Sequence, residues 1–346
     1  MEAHVRFSVG YQYPDEGGER FPEIVADYRE HVAEVYFARG DAASARSPAV
    51  SASGYTPEEG EGILREDLAE LRRTGVKLNL LFNANCHGAK CVSKALEAEV
   101  LEGIEAVRPD SVTTASPFIA AVIRERHPQL PIRSSVNMNL ESVHEFSYLA
   151  DRFDSFCVAR ELNYDFEQLE KVRDWARQNG KEIVILVNSG CLWRCPAHTF
   201  HDNLVAHFSE LRQEDVRKGF DPVFCRTFYS SPENRATFLE HITFIRPEDL
   251  HRYAGCADLF KLATRTHANP RLVLEAYASG RFTGNLFDLT EPNHGLRFRN
   301  QVLDNTRFPA DWWESRARCS HACGSCGRCR ELLPRLLLDS DEDDRM

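Results

Sequence analysis

Eight short runs of apolar and β-branched residues alternate with longer amphipathic segments along residues 4–280. The strand candidates are 4–10, 33–39, 76–83, 111–115, 132–137, 155–160, 182–188 and 259–264, and the helix-like segments include 63–75, 94–107, 117–128 and 165–180. Strands separated by helices form parallel βα units, and eight such units predict a TIM-like (β/α)8 barrel. An open doubly wound sheet is the alternative, although no GxGxxG motif follows the first run.

Three regions are expected along the 346 residues: a barrel over 1–290, a cysteine-rich segment that binds a metal cluster over 291–335, and an acidic disordered tail over 336–346. Neither a secretory signal nor an apolar run long enough to span a membrane is visible, so a cytoplasmic protein is expected. Thiols stay reduced in that compartment. The eleven cysteines therefore indicate metal or redox chemistry before disulfides.

Four of these cysteines fall in one short run near the C-terminus, CSHACGSCGRC. Cys319, Cys323, Cys326 and Cys329 have the spacing C-x3-C-x2-C-x2-C, and intervening glycines let the backbone fold around a metal. Thiolates packed this densely are typical of iron–sulfur sites and, less often, of zinc sites. We predict a 4Fe-4S cluster here, with zinc as the less favoured alternative.

Polar residues follow the ends of the predicted strands. Active sites of parallel barrels lie at the C-terminal ends of the strands, so these side chains are expected to meet around one mouth. Each one alone could cap a loop, but together they predict a functional pocket of amides, guanidinium groups and thiols. The set comprises Gln12, Arg39, Asp41, Asn83, Asn85, Cys86, Asn137, Asn139, Arg160, Glu161, Asn163, Asn188, Cys191 and Arg265.

A second group of cysteines belongs to this mouth. Cys191 and Cys195 lie four residues apart in SGCLWRCP, and proline directly after a cysteine is typical of ferredoxin-type loops. Cys225 and Cys86 are the candidates to complete a cluster site with them. Cys157, inside a strand, is expected to be a core residue. Cys91 and Cys256 are weaker candidates, and the histidines at 198, 201 and 207 are expected to form hydrogen bonds, with a His–Cys zinc site as an alternative.

Several segments resemble the collagenase-like, U32-type peptidase family, which includes the UbiU and UbiV proteins of ubiquinone biosynthesis and the bacterial RNA-hydroxylation proteins. The segments are ELNYDF (161–166), SGCLWRCP (189–196), FIRPEDLHRY (244–253), LFKLATRT (259–266) and YASGRFTGNLFDL (277–289). The resemblance implies a TIM-barrel core, a 4Fe-4S cluster held by four cysteines at the mouth, and hydroxylation without dioxygen. UbiV-like members carry another cysteine shortly before the C-x3-C pair, and residues 177–188 contain none.

The favoured function is therefore an oxygen-independent, hydroxylase-type oxidoreductase with two 4Fe-4S clusters, the C-terminal one serving as an electron relay. Glu161, Asn163, His201 and Arg265 are the candidates to orient the substrate and move protons. The expected partners are a small-molecule or macromolecular substrate, an electron donor and, by resemblance, a heterodimer partner of the same family. A net charge of −11 argues against broad nucleic-acid binding but leaves a local basic groove open.

Three other functions stay open. A peptidase would pair Cys191 with His198 or His201, but a cysteine that binds metal is a poor nucleophile, and neither GxSxG nor HExxH is present. The first three cysteines of the C-terminal run have radical SAM spacing, yet they follow the barrel, and Cys329 would fill the iron site that SAM needs. A cluster-carrying partner subunit without catalysis is the third alternative.

Overall fold

The computed structural model describes residues 5–15, 17–39, 54–207, 211, 217–221, 223–299 and 301–339. Eight parallel strands pair in chain order, and β1 (Phe7–Gly10) pairs with β8 (Leu259–Leu262) to close a barrel. Helices surround it, so the TIM-like (β/α)8 barrel is confirmed and the open-sheet alternative is wrong. Asp41, predicted at the mouth, lies outside the described residues.

The remaining elements follow the predicted alternation. The other barrel strands are β2 (Val32–Phe37), β3 (Lys77–Phe82), β4 (Ser111–Thr114), β5 (Ile132–Ser134), β6 (Ser155–Cys157) and β7 (Glu182–Leu186). The helices up to the last barrel strand are α1 (Phe21–Asp27), α2 (Pro57–Arg73), α3 (Lys94–Val107), α4 (Pro117–Arg126), α5 (Val143–Leu149), α6 (Phe166–Gln178), α7 (His198–Ala206), α8 (Phe224–Phe228) and α9 (Pro232–Arg235). They are followed by α10 (Pro270–Ser279), α11 (Trp312–Ala317), α12 (Cys323–Cys326) and α13 (Arg328–Leu336).

Local capping signals set the helix starts. The side chain of Asp165 accepts a hydrogen bond from Gln168 N at the start of α6, as an N-cap does. Helix α2 begins six residues before the predicted segment because Thr56 and Glu59 form a capping box and Pro57 occupies the first turn. The apolar periodicity alone did not reveal that polar first turn.

Charged side chains cross the interior of the barrel. Glu34 of β2 and Arg133 of β5 form a buried ion pair, and Ser8 of β1 donates to Glu34 Oε1 at 2.6 Å. Burial alone would raise the pKa of Glu34, but the Arg133 guanidinium and the hydrogen bonds outweigh it and hold that pKa below its ordinary value. Barrel interiors are usually filled by branched apolar residues, so this polar pair is a distinctive feature of the core.

A buried amine lies beside that pair. Lys261 of β8 is almost fully buried, and its Nζ lies 4.1 Å from the centre of the Tyr36 ring. Burial lowers the pKa of Lys261 from its ordinary value to about 8, since a buried ammonium loses its hydration.

The C-terminal segment returns to the barrel and is fastened there. Strand β10 (Leu337–Asp339) pairs antiparallel with β9 (Gln301–Leu303), and Arg330 of α13 forms an ion pair with the buried Glu240. Leu336 is buried at the end of α13. The expected disordered tail over 336–346 is therefore wrong for 336–339, because these mostly apolar residues pack or pair, and 340–346 lie outside the described residues.

Within the described residues, no helix combines the length and apolar character needed to cross a bilayer. The cytoplasmic location stays a prediction.

Candidate functional site

The loop after β7 carries the first cysteine pair and is fixed by the segment around His241 and Thr243. Thr243 Oγ1 donates to the carbonyl oxygens of Ser189 at 3.0 Å and Cys191 at 3.1 Å. The Trp193 amide donates to the carbonyl of His241 at 2.8 Å. These bonds hold the main chain of SGCLWRC so that its thiols occupy defined positions at the barrel mouth.

Gly190 fits this loop because it has no side chain. Its amide donates to the carbonyl of Glu291 at 2.9 Å, and a Cβ at this position would lie 2.1 Å from the carbonyl oxygen of Pro292. Because this oxygen belongs to the backbone, no side-chain rotation can relieve the clash.

We therefore expect Gly190→Ala to lower the free energy of unfolding by ~1–3 kcal/mol, the usual cost of overpacking, and to displace Cys191. Urea denaturation measures the first effect, and the iron bound per chain measures the second. Gly62→Ala is the matched control, since Gly62 lies in α2 with open space around its Cα. An unchanged unfolding midpoint in Gly190→Ala would contradict the steric argument.

Three cysteines gather at the mouth. Burial and, to a smaller extent, the neighbouring sulfurs of Cys191 and Cys195 raise the pKa of Cys225 to about 12. The pKa of Cys195 is likewise raised by burial, with Cys191 and Arg160 among its electrostatic neighbours. Cys225 of α8 is thus brought to the predicted pair. Metal binding would displace the thiol protons.

A buried arginine accompanies these thiols. Arg160 is 5% exposed and interacts electrostatically with Cys191. Its Nη1 lies 3.1 Å from His198 Nδ1. His198 in turn lies 3.4 Å from Asp202. Within the described residues, Arg160 Nε is buried without a hydrogen-bond partner. The Arg160 charge offsets part of the effect of burial, which raises the pKa of the Cys195 thiol.

Some of the predicted mouth residues hold the main chain in place through hydrogen bonds from their side-chain amides. Asn163 Nδ2 donates to the carbonyls of Leu186 at 2.8 Å and Thr243 at 2.7 Å. Asn188 Nδ2 bonds the carbonyls of Ala263 and Leu289, and Gln12 Nε2 donates to His267 O at 2.6 Å. These amides position loops, so the amide hydrogens of Asn163 are not available to a substrate.

Other mouth residues retain open acceptor atoms. Glu161 Oε1 accepts from the Arg194 amide at 3.3 Å, whereas its Oε2 is buried without a partner among the described residues. The same holds for the Oδ1 atoms of Asn83, Asn85 and Asn139. Buried acceptors without partners are rare and need an explanation. A bound polar ligand would supply one.

The structure leaves other predicted roles as predictions. His201 is half-buried on α7, and Arg265 Cβ lies 2.8 Å from where a side chain on Gly10 would begin. The Cys86 thiol accepts from the Gly88 amide at 3.4 Å, and its role as fourth ligand stays a prediction. Cys157 is 1% exposed in β6, which confirms its place in the core.

The four C-terminal cysteines lie around one cavity of about 160 Å³, lined also by Glu240 and Arg316. Cys326 is exposed, and the other three are half-buried. The His321 amide donates to Cys319 Sγ at 3.4 Å. The spacing of the sequence run thus predicted which thiols would share a site.

This cavity has its own buried arginine. Arg316 is 2% exposed, lies over the Tyr164 ring at 4.7 Å, and places Nη1 3.9 Å from Cys319 Sγ. Its Nε and Nη2 are buried without partners within the described range. The two thiol sites therefore share one design: a C-x3-C loop, at least one further cysteine and a buried guanidinium group.

In the described part of the chain, no three His, Cys, Asp or Glu side chains stand close enough to enclose a metal ion directly. The donor sets nonetheless fit an iron–sulfur cluster chemically, because soft thiolates are the ligands such clusters take. The C-terminal cavity supplies four thiols and the mouth supplies three.

The family comparison agrees with the barrel. The model of peptidase family U32 matches residues 23–174. Over these residues the chain is similar to peptidase family U32. The resemblance to collagenase-like peptidases is thereby confirmed. The matched residues end before Cys191, so both thiol sites lie beyond the part that defines the family here.

Two relatives extend this comparison. An uncharacterized protease of Methanocaldococcus jannaschii is 24% identical, over 79% of this chain and 82% of the relative. The solved structure of a U32 peptidase superposes with a TM-score of 0.50 at 15% identity, covering 75% of this chain and 93% of that one. At that identity the structural likeness supports the fold alone.

Proposed function

We propose that this chain is an iron–sulfur redox enzyme that modifies an organic substrate without dioxygen. Cys191, Cys195, Cys225 and a fourth ligand, for which Cys86 is the candidate, would hold one 4Fe-4S cluster. The C-terminal cysteines would hold another. The observation that carries the proposal is the pairing of each thiol set with a buried guanidinium, Arg160 or Arg316.

The balance of the proposed reaction requires a redox partner. Hydroxylation with water as the oxygen source is R–H + H2O → R–OH + 2 H⁺ + 2 e⁻, so two electrons leave the substrate one at a time and reduce two molecules of an external one-electron acceptor protein. A 4Fe-4S cluster supplies reversible one-electron transfer when bound. Hydroxylation thus requires an electron acceptor, and the predicted electron donor would be needed only for the reverse reaction, the reductive removal of the hydroxyl group as water.

The residues of this chain would bind the substrate at the mouth. The open acceptor atoms of Asn83, Asn85, Asn139 and Glu161 can take hydrogen bonds from hydroxyl or amino groups of a substrate. Glu161 can also accept a proton released in the reaction. His201 and Arg265 keep their proposed parts in proton movement and orientation, while Asn163 acts by positioning.

Peptidase activity is the second candidate, because the family and the curated relative carry that name. Arg160 lies beside Cys191 and contacts His198, so a nucleophile and a base could come together there. A cluster-carrying partner subunit, pairing with another member of the family, is the third candidate.

The proposal is tested by purifying the protein without oxygen and counting metal. We expect about eight irons per chain, with matching sulfide, since each 4Fe-4S cluster holds four. Cys191→Ala with Cys195→Ala and, separately, Cys319→Ala with Cys323→Ala are each expected to lose half of the iron. Visible and EPR spectra of the two double variants then provide a signature for each site.

Cys91→Ala is the matched control, because Cys91 is exposed in a neighbouring loop and is not proposed as a ligand. Cys86→Ala tests the fourth position at the mouth. Zinc without sulfide in the unmodified protein would overturn the redox proposal. Casein cleavage that is lost in Cys191→Ala with Cys195→Ala but persists in Cys319→Ala with Cys323→Ala would favour the peptidase.

A further inference from the structure

The two thiol sites touch through a pair of rings. Trp193 is the middle residue of Cys191–Cys195, and His321 is the middle residue of Cys319–Cys323. Their ring centres lie 3.9 Å apart with an angle of 4° between the planes, a close parallel stack. Equivalent positions of the two C-x3-C loops therefore meet face to face.

Both loops are shaped for this contact. Arg194 and His321 have positive φ angles of 49° and 56°, a conformation that costs energy for residues other than glycine. The Trp193 amide is tied to His241 at 2.8 Å, and the His321 amide to Cys319 Sγ at 3.4 Å. Arg194 lies 5.3 Å from the Trp193 ring centre and pairs with Glu141 at 2.8 Å. The rings are thus held from both sides.

We infer that the Trp193–His321 stack is the electron path between the C-terminal thiol site and the barrel mouth. This inference rests on the proposed function, since it requires both sites to bind clusters. Electron tunnelling weakens steeply across gaps between conjugated groups. Two rings in van der Waals contact, each two residues from cysteines of its own site, give a nearly continuous route.

The two thiol sites differ in their exposure to solvent, and this difference gives the electron path an outer and an inner end. Cys326 is exposed and the C-terminal cavity opens to solvent, whereas Cys225 at the mouth is buried. An external one-electron carrier would therefore meet the C-terminal site first. In each transfer one site loses one electron and the other gains it. No atom or proton needs to move between the sites.

The test follows an electron between the sites in anaerobic protein loaded with iron. One equivalent of reduced methyl viologen is mixed with the protein, and freeze-quenched EPR records each site, using the signatures from the double cysteine variants. The C-terminal signal is expected first and the mouth signal second. Trp193→Leu and His321→Leu are each expected to slow the second phase roughly tenfold, since saturated atoms replace a stacked ring.

Trp193→Phe is the conservative control, because it keeps an aromatic ring in the stack, and its second phase is expected to stay close to that of the unmodified protein. Iron content and unfolding midpoint are measured for every variant. If both leucine variants retain their iron and transfer the electron as fast as the unmodified protein, the proposed electron path is wrong. If Trp193→Leu loses iron, the rate of the second phase in His321→Leu, compared with that of the unmodified protein, tests the path instead. Unmodified protein that holds no iron refutes the proposed function instead.

Discussion

Glu34→Ala is expected to lower the free energy of unfolding by about 3–5 kcal/mol, the usual cost of removing one partner of a buried ion pair. The substitution leaves Arg133 charged, 6% exposed and without its carboxylate inside the barrel. Ser8 also loses its acceptor at 2.6 Å. Urea denaturation at neutral pH measures the change as a shift of the unfolding midpoint.

The double substitution Glu34→Leu with Arg133→Met is the control. It removes both charges together, and buried pairs replaced by apolar residues of similar volume often lose little stability. The pH dependence gives a second check. Because the pKa of Glu34 is lowered in the folded protein, its stabilising contribution is present above the ordinary carboxyl range and is lost as the pH falls through the lowered pKa. A Glu34→Ala cost that does not diminish in acid would contradict this account.

Lys261→Met is expected to have the opposite effect and to stabilise the protein at neutral pH by about 2 kcal/mol. Burial lowers the pKa of Lys261 to about 8, so below pH 8 the folded protein must carry a buried charge. The lowered pKa corresponds to ~3 kcal/mol at 1.36 kcal/mol per unit, and loss of the contact with the Tyr36 ring offsets part of it.

The pH profile identifies the cause of that gain. The unmodified protein becomes more stable as the pH rises from about 8 toward the ordinary lysine pKa near 10.5, because the unfolded chain then binds more protons than the folded one. The advantage of Lys261→Met is therefore largest below pH 8 and shrinks above it. Lys77→Met, at the exposed start of β3, should change stability little. An equal gain at all pH values would point to packing instead of charge.

The barrel could be predicted from the sequence because its signals are local. Each strand is a short apolar run, and each following helix has its own cap or periodicity, as Asp165 shows at α6. The strands end two or three residues before several of the predicted limits, for example at Ser134 and Cys157. There the chain turns into the mouth loops while the sequence remains partly apolar.

The C-terminal thiol site could also be predicted, since its four cysteines are neighbours in the chain. Cys225 was predicted to join the mouth site, but its position relative to Cys191 and Cys195 could not be derived from the sequence, because only the fold brings α8 to the loop after β7. Asn163 and Asn188 follow their strands as expected, yet their amides bind main-chain carbonyls. Buried carbonyls at loop crossings need donors. The sequence does not reveal which amides meet that need.

The buried ion pair inside the barrel could have been predicted from the sequence. Glu34 and Arg133 lie in buried strands of the barrel, where a charged residue must find a partner. Arg316 and the Trp193–His321 stack had no comparable signal. Their contacts join segments more than a hundred residues apart in the chain, and only the folded arrangement shows them.

The antiparallel pairing of β9 with β10 bears on the order in which this protein folds and would bind metal. Small zinc domains fold only when metal arrives, since ligation provides most of their stability. Here β10 pairs with β9 and α13 buries Leu333 and Leu336, so the C-terminal thiols are positioned by the polypeptide itself. Under the proposed function, the chain would fold first and take up iron and sulfide afterwards. The proteins that deliver them would then act on a folded site.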